Sequence, residues 1–90
     1  MEPVPITVGS LLAKTEVRLR ALGIDSARLD AEVLLAHVMG VDRGRLAAML
    51  AAKEGARVDD EAAGAFEALI ERRALREPVA YIMGRREFWS

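Results

Sequence analysis

The segment of residues 26–40 constrains the fold more than any other, because apolar residues lie on both of its sides. With about 100° of rotation per helical residue, one side carries Leu29, Val33, Ala36 and Gly40, and the other carries Ala31, Leu34, Leu35 and Val38. An amphipathic helix on a protein surface needs only one apolar face. The pattern therefore predicts a central helix that other segments cover on both sides.

The composition favours an all-α fold around this helix. Of the 90 residues, 52% are hydrophobic and only 4% are aromatic, and Ala, Leu, Arg and Glu dominate. These residues are typical of helices rather than strands. The length suits a single domain with one modest core. We expect a small helical bundle of four main helices and a short fifth over residues 1–84.

Capping residues and glycines mark the ends of the predicted helices. Thr7 is expected to cap the first, which runs to about Leu22 with Leu22 on its buried stripe, and Gly23 suits a left-handed ending. Asp42 is placed to cap a third helix. After the central helix, the third helix is predicted at about 43–54. The fourth begins at Val58-Asp59-Asp60-Glu61 and ends at the break at Glu77-Pro78. The fifth is predicted at 79–83, with Pro78 as its first residue.

Charge and cysteine content exclude several classes of function. Thirteen basic and fourteen acidic residues give a net charge of −1, so general attraction to nucleic acid or to an anionic membrane is not indicated. The absence of cysteine excludes disulfides and thiolate metal sites, and suits a reducing compartment. The start has no basic region typical of a signal peptide, and the longest apolar run, 46–52, cannot cross a bilayer. We expect a cytoplasmic protein.

The residues offer no catalytic constellation. His37 is the single imidazole, and no carboxylate lies three or four positions from it on the helix, so we interpret it as structural. Arg28, Asp30 and Glu32 form a charged trio, which we interpret as edge residues that bond to the ends of neighbouring helices. No glycine-rich loop follows a strand. We predict no catalytic, cofactor-binding or metal-binding residue in this chain.

Residues 40–50 resemble a helix-turn-helix motif in outline. A recognition helix needs side chains that donate to bases or phosphates, and after Arg45 this one offers only apolar residues. We therefore expect no sequence-specific binding of nucleic acid. A free-standing helical module that binds nucleic acid or another protein remains the alternative function.

The last nineteen residues are locally basic and carry an aromatic pair, Phe88 and Trp89, just before the final Ser90. Residues 72–86 contain five arginines and a single acidic residue, Glu77. This charge excess fits either a solvated helix end with a linker or a surface for a partner. The candidate partner-binding residues are Arg72, Arg73, Arg76, Tyr81, Arg85 and Arg86. Because Phe88 and Trp89 would be exposed at a free end, we expect the chain to be cut here, with 85–90 beginning a linker strand.

Two segments resemble one family. Residues 77–84, EPVAYIMG, followed by REFWS at 86–90, resemble the E-P-x-x-Y-I-x-G-x-x-E-F-W-[SG] segment of the HemK/PrmC family. Residues 26–38, SARLDAEVLLAHV, are similar to that family's S-x-R-L-D-A-E-x-L-L-x-H-V signature. The resemblance spans essentially the whole chain as the family's amino-terminal helical domain.

The resemblance implies a division of labour. Family members are S-adenosylmethionine-dependent methyltransferases that modify the glutamine of the Gly-Gly-Gln motif in class-I peptide chain release factors. Their cofactor loop and catalytic Asn-Pro-Pro-Tyr belong to a carboxy-terminal domain, and nothing here matches either. The expected function is thus substrate recognition within a longer enzyme, with the release factor and the chain's own catalytic domain as partners.

Two surfaces of the predicted bundle are candidates for binding the release factor. The basic carboxy-terminal edge is one, and the outer face of the first helix, with Lys14, Arg18 and Arg20, is the other. Aromatic and arginine side chains are enriched at binding hot spots, which favours the first. Reversal of Arg73 and Arg76 to Glu is expected to weaken recognition and leave the fold intact.

Overall fold

The computed structural model describes residues 5–52 and 55–84. These residues form five helices, α1 (Val8–Ala21), α2 (Ala27–Met39), α3 (Arg43–Ala51), α4 (Asp60–Ala74) and α5 (Val79–Ile82). Within the described ranges there is one isolated antiparallel β-bridge, between Thr7 and Arg57. The predicted all-α class, with four main helices and a short fifth, is confirmed.

Local capping chemistry sets most helix ends where the sequence predicts them. Thr7 caps α1 in a reciprocal arrangement, in which its hydroxyl accepts from the Ser10 amide at 3.1 Å and the Ser10 hydroxyl accepts from the Thr7 amide at 3.1 Å. The Asp42 carboxylate accepts from the Arg45 amide, and that of Asp59 from the Ala62 amide, each at 2.7 Å. These bonds satisfy amides that have no partner within the helix.

Helix α2 lies at the centre and packs against α1, α3 and α4. Ala31, Leu34 and Leu35 on its inner side are fully buried. The prediction that both sides are covered is wrong for its outer side, because Leu29 is 46% exposed and Val33 only half-buried. The neighbouring helices leave the outer side of the first two turns uncovered.

The end of α1 also differs from the prediction at one position. Leu22 is 44% exposed rather than part of the buried stripe. The chain turns at Gly23, whose φ is 82°, and the Ile24 amide donates to the Leu19 carbonyl at 3.1 Å. Ile24, 2% exposed, therefore fills the core position beyond Leu19.

Helix α3 is shorter than the predicted 43–54. Ala52 is extended, with ψ at 139°, and is no longer helical, so the helix ends at Ala51. Leu46 is its one fully packed residue among those described, and so little burial does not sustain another turn. The last two residues of the predicted range, 53 and 54, lie outside the described residues.

Helices α4 and α5 complete the bundle. Phe66 and Ile70 of α4 are almost completely buried against α2. Helix α5 ends at Ile82, one residue earlier than predicted, and Pro78 is its N-cap rather than its first residue. The Pro78 carbonyl accepts from the amides of Tyr81 and Ile82. Among the described residues, no helix has the length and hydropathy needed to cross a membrane.

Candidate partner interface

The arginine-rich end of α4 is the surface that the sequence marks for a partner. Arg72 and Arg73 lie in its last turn, and the chain then passes through Leu75, Arg76 and Glu77 to Pro78. The Glu77 amide donates to the Arg72 carbonyl at 3.2 Å and the Arg76 amide to the Arg73 carbonyl at 2.8 Å. This is a Schellman ending, and it holds the start of the α4–α5 turn.

Arg73 points into the bundle instead of toward solvent. Its side chain is 17% exposed, and its Nε donates to Oδ2 of Asp30 at 2.8 Å. The Asp30 side chain is 8% exposed and also accepts from the Ser26 hydroxyl at 2.9 Å. The Arg73 Nη1 donates to the Glu77 carbonyl at 3.1 Å. One guanidinium therefore joins α2, α4 and the α4–α5 turn.

Arg72 bonds to Glu77 across the same turn. Its Nε donates to Oε1 of Glu77 at 2.9 Å, and its Nη2 contacts Oε2. These bonds lower the pKa of the Glu77 carboxyl and raise that of the Arg72 guanidinium. The pair lies at the surface, where ion pairs contribute little to stability. The pair holds the Glu77 side chain in one orientation, close to the Glu77 backbone carbonyl.

Arg76 connects the end of α4 to the end of α1. Its Nη2 donates to the Leu22 carbonyl at 2.6 Å, which satisfies a carbonyl at a helix terminus. Arg76 has a φ of 75°, a left-handed conformation unusual for a residue other than glycine. Leu22 and Leu75, 44% and 83% exposed, are the apolar side chains beside this link.

The structure thus brings the three described arginines together at one end of the bundle. Each makes an intramolecular bond there, and Tyr81 on α5 is 57% exposed. Arg85 and Arg86 lie outside the described residues. A partner-binding role for these six residues stays a prediction. The structure argues against the expectation that reversing Arg73 leaves the fold intact, because a carboxylate there would face the buried Asp30.

The competing surface on α1 is largely neutralised by its own neighbours. Arg18 pairs with Glu67 and Glu71 of α4, and Arg20 pairs with Glu16. Lys14 makes no ion pair with another described residue. The face therefore offers one unpaired cation in the described part of the chain.

The charged trio of α2 makes the interhelical bonds that the sequence interpretation favours. Asp30 reaches the end of α4 through Arg73, and Glu32 accepts from Arg28 at 2.9 Å and from Arg43, at the start of α3, at 3.1 Å. Although partial desolvation acts in the opposite direction, the hydrogen bonds from Arg28 and Arg43 lower the pKa of Glu32. The trio is a set of structural links.

The remaining sequence candidates gain no chemical partner. His37 is half-buried, and its imidazole makes no hydrogen bond to another described residue. Residues 5–52 and 55–84 contain no group of three side chains suited to hold a metal ion. On α3, Arg43 is paired with Glu32, and the exposed Ala47, Ala48 and Ala51 give no donors to bases.

Sequence reasoning missed two features of this end of the molecule. The first is the exposure of Leu22, which continues the apolar stripe of α1 up to the turn at Gly23, together with that of Leu75, which lies on the side of α4 away from Phe66. The second is the left-handed Arg76. The sequence does offer a signal for Arg76, which stands four residues after Arg72 and two before Pro78. Because Pro78 disfavours helical geometry at the residue before it, the helix must end near Arg76.

Comparisons with known proteins agree on one family. The family model of the PrmC N-terminal domain matches residues 10–84. The release factor glutamine methyltransferase of Aliivibrio fischeri is 45% identical over 85 residues, which cover 94% of this chain and 28% of that protein. The protein of the same name from Rhodospirillum rubrum is 42% identical over 84 residues, 93% of this chain and 25% of that protein.

A third relative, the release factor glutamine methyltransferase of Cereibacter sphaeroides, is 47% identical over 73 residues, 81% of this chain and 25% of that protein. The chain thus spans about a quarter of the length of these curated relatives. No solved structure matches it. With the family model matching 10–84 and these relatives in agreement, the chain belongs to the PrmC N-terminal domain family.

Proposed function

We propose that this chain is the substrate-recognition domain of an S-adenosylmethionine-dependent methyltransferase. The enzyme would methylate the glutamine of the Gly-Gly-Gln motif in class-I peptide chain release factors. The match to the PrmC N-terminal domain over residues 10–84 carries the proposal, and relatives named release factor glutamine methyltransferase support it. Residues 1–84 would form the recognition domain, and 85–90 would begin the linker to the catalytic domain.

The architecture suits a role in binding rather than in bond making. A methyltransferase that modifies one side chain of a large protein must hold that protein by surfaces remote from the reacting atom. The core from α1 to α4 gives such a surface a rigid support, because helix ends are tied by caps and by ion pairs between helices. The cofactor would bind to the catalytic domain, in the cytoplasm, where release factors act.

The partner surface in this proposal is the carboxy-terminal edge. Arg72, Arg76 and Tyr81 reach solvent there, together with Leu22 and Leu75. Arginine and tyrosine are common at binding hot spots, since they bury large areas and make directional bonds. Arg73 supports this edge from inside, and Arg85 and Arg86 would extend it.

A kinetic comparison tests the proposal. In the full-length enzyme, the double variant Arg72→Ala/Tyr81→Ala should raise KM for the release factor severalfold and leave the Kd for S-adenosylmethionine unchanged. Lys14→Ala, on the outer face of α1, is the matched variant on the competing surface. If Lys14→Ala raises KM and the double variant does not, the recognition surface belongs to α1.

A further inference from the structure

We propose that Arg73 is a positioning residue, which fixes α5 and the chain that leaves it relative to the central helix. The inference rests on the proposed function, in which a catalytic domain follows α5 in the chain. Its basis is that one guanidinium donates to two elements at once, to Oδ2 of Asp30 on α2 at 2.8 Å and to the Glu77 carbonyl of the α4–α5 turn at 3.1 Å.

The α2 end of this link is rigid. Asp30 lies in the first turn of the most buried helix, and its side chain is 8% exposed. The Ser26 hydroxyl donates to the same carboxylate oxygen at 2.9 Å. Removing the partner of a buried, hydrogen-bonded carboxylate destabilises the fold strongly, because the charge is left buried and unpaired. Asp30 therefore holds the Arg73 guanidinium in one place.

The other end of the link sets the direction of α5. Arg72 holds the side chain of Glu77 while Arg73 holds its carbonyl, so both the side chain and the carbonyl of this residue are fixed. Pro78 follows with its φ fixed by its ring, and its carbonyl accepts the first hydrogen bonds of α5. Anchoring the Glu77 carbonyl therefore orients Pro78 and the helix after it.

Helix α5 needs an external anchor of this kind. It has four residues, of which only Ile82 is buried among those described, and so short a helix is unstable by itself. A planar guanidinium with several donors can bond to two acceptors in fixed geometry, whereas a lysine ammonium on a flexible chain cannot reproduce that fork. This requirement explains why an arginine suits the position.

The consequence for the enzyme concerns the chemical step. If α5 leads to the catalytic domain, its direction sets where a release factor held at the carboxy-terminal edge meets the reacting methyl group. Small misplacements of reacting groups cost large factors in rate even when binding is intact. Arg73 would thus act on kcat, whereas a residue that contacts the release factor would act on KM.

The first test is amide hydrogen exchange on this chain with Arg73→Lys. Exchange at Ile82 and Met83 of the α5 turn should quicken roughly tenfold, because a charge-assisted bond that anchors the turn is lost locally, while Leu34 in the core keeps its protection. Arg43→Lys, which alters an exposed pair with Glu32, should leave all three amides unchanged. No change at Ile82, or an equal change at Leu34, would overturn the proposal.

The second test uses the full-length enzyme with the same two variants. Arg73→Lys should lower kcat severalfold and leave the Kd of the cofactor unchanged, with a smaller change in KM for the release factor because Tyr81 lies on α5. A raised KM with unchanged kcat would mean that Arg73 binds the release factor directly, and positioning would be wrong. If the unaltered enzyme does not methylate release factors, the proposed function fails, and the exchange experiment still decides whether Arg73 anchors α5.

Discussion

Helices α1, α2 and α4 end in the same hydrogen-bond pattern, with glycine at the left-handed position of the first two and Arg76 at that of α4. At the end of α1, Gly23 has a φ of 82°, and the following amide donates to the Leu19 carbonyl. At the end of α4, Arg76 has a φ of 75°, and the following amide donates to the Arg72 carbonyl. Glycine adopts this conformation without strain, whereas a side chain makes it costly. Arg76 offsets part of that cost by its bond to the Leu22 carbonyl.

Substitutions at Arg76 separate the strain from the bond. Arg76→Ala loses the bond to Leu22 and keeps the left-handed strain, whereas Arg76→Gly loses the bond and relieves the strain. The Gly variant should therefore be more stable than the Ala variant by about 1 kcal/mol. Urea denaturation of the two variants measures the difference. An Ala variant as stable as the Gly variant would contradict a left-handed position here.

Glu32 gives a pH-dependent contribution at the same scale. Its pKa is lower in the folded chain than its ordinary value, because hydrogen bonds from Arg28 and Arg43 outweigh desolvation. The ionised carboxylate therefore stabilises the fold above a pH of about 4.3, and this stabilisation is lost as the pH falls through the lowered folded pKa.

Glu32→Gln should accordingly destabilise the chain at neutral pH and have a smaller effect at a pH acidic enough to protonate the wild-type carboxylate in the folded chain as well. Urea denaturation at the two pH values measures both effects. Glu61→Gln, at an exposed residue with no ion partner among those described, is the control and should have a small effect at both. An effect of Glu32→Gln that grows on acidification would contradict the assigned links.

At the scale of single elements, local chemistry was predictable from the sequence and tertiary coverage was not. The caps of α1, α3 and α4 are Thr7, Asp42 and Asp59, whose side chains accept from amides three residues later. Because both partners lie within four consecutive residues, the sequence alone indicates the bond. Coverage of a helix face depends on where distant segments pack. For this reason the outer side of α2, at Leu29 and Val33, was wrongly predicted to be buried.

The same limit applies to the candidate site. A run of arginines near a helix end indicates a basic surface, but the partner of Arg73 is Asp30, 43 positions earlier in the chain. No local pattern reports that pairing, although the interpretation of Asp30 as a link to a neighbouring helix end was correct. The identity of the arginines was thus available from the sequence, and their intramolecular partners were not.

Paired substitutions on α2 test its central position. Leu34→Ala should cost about 2–5 kcal/mol of the free energy of unfolding, because the side chain is fully buried and its removal leaves a cavity. Leu29→Ala removes the same atoms from a half-exposed position and should cost under about 1 kcal/mol. Chemical denaturation compares them. Equal costs would mean that the outer side of α2 is also packed.

Across the whole molecule, most charge is balanced between neighbouring helices. Six of the ten described Lys and Arg side chains pair with carboxylates, namely Arg18, Arg20, Arg28, Arg43, Arg72 and Arg73. The net charge is −1. Recognition of a release factor would then depend on shape and on apolar and aromatic contacts more than on long-range attraction, so its affinity should vary only moderately with salt.

The central claim is that this domain contributes to recognition of a class-I release factor. Calorimetric titration of the folded 90-residue chain with a purified class-I release factor tests it most directly, with S-adenosylmethionine titrated separately. We predict saturable binding of the release factor, weakened by Arg72→Ala/Tyr81→Ala and unaffected by Arg43→Ala, and no binding of the cofactor. Absence of release factor binding, or cofactor binding tighter than about millimolar (near −4.1 kcal/mol), would contradict the account.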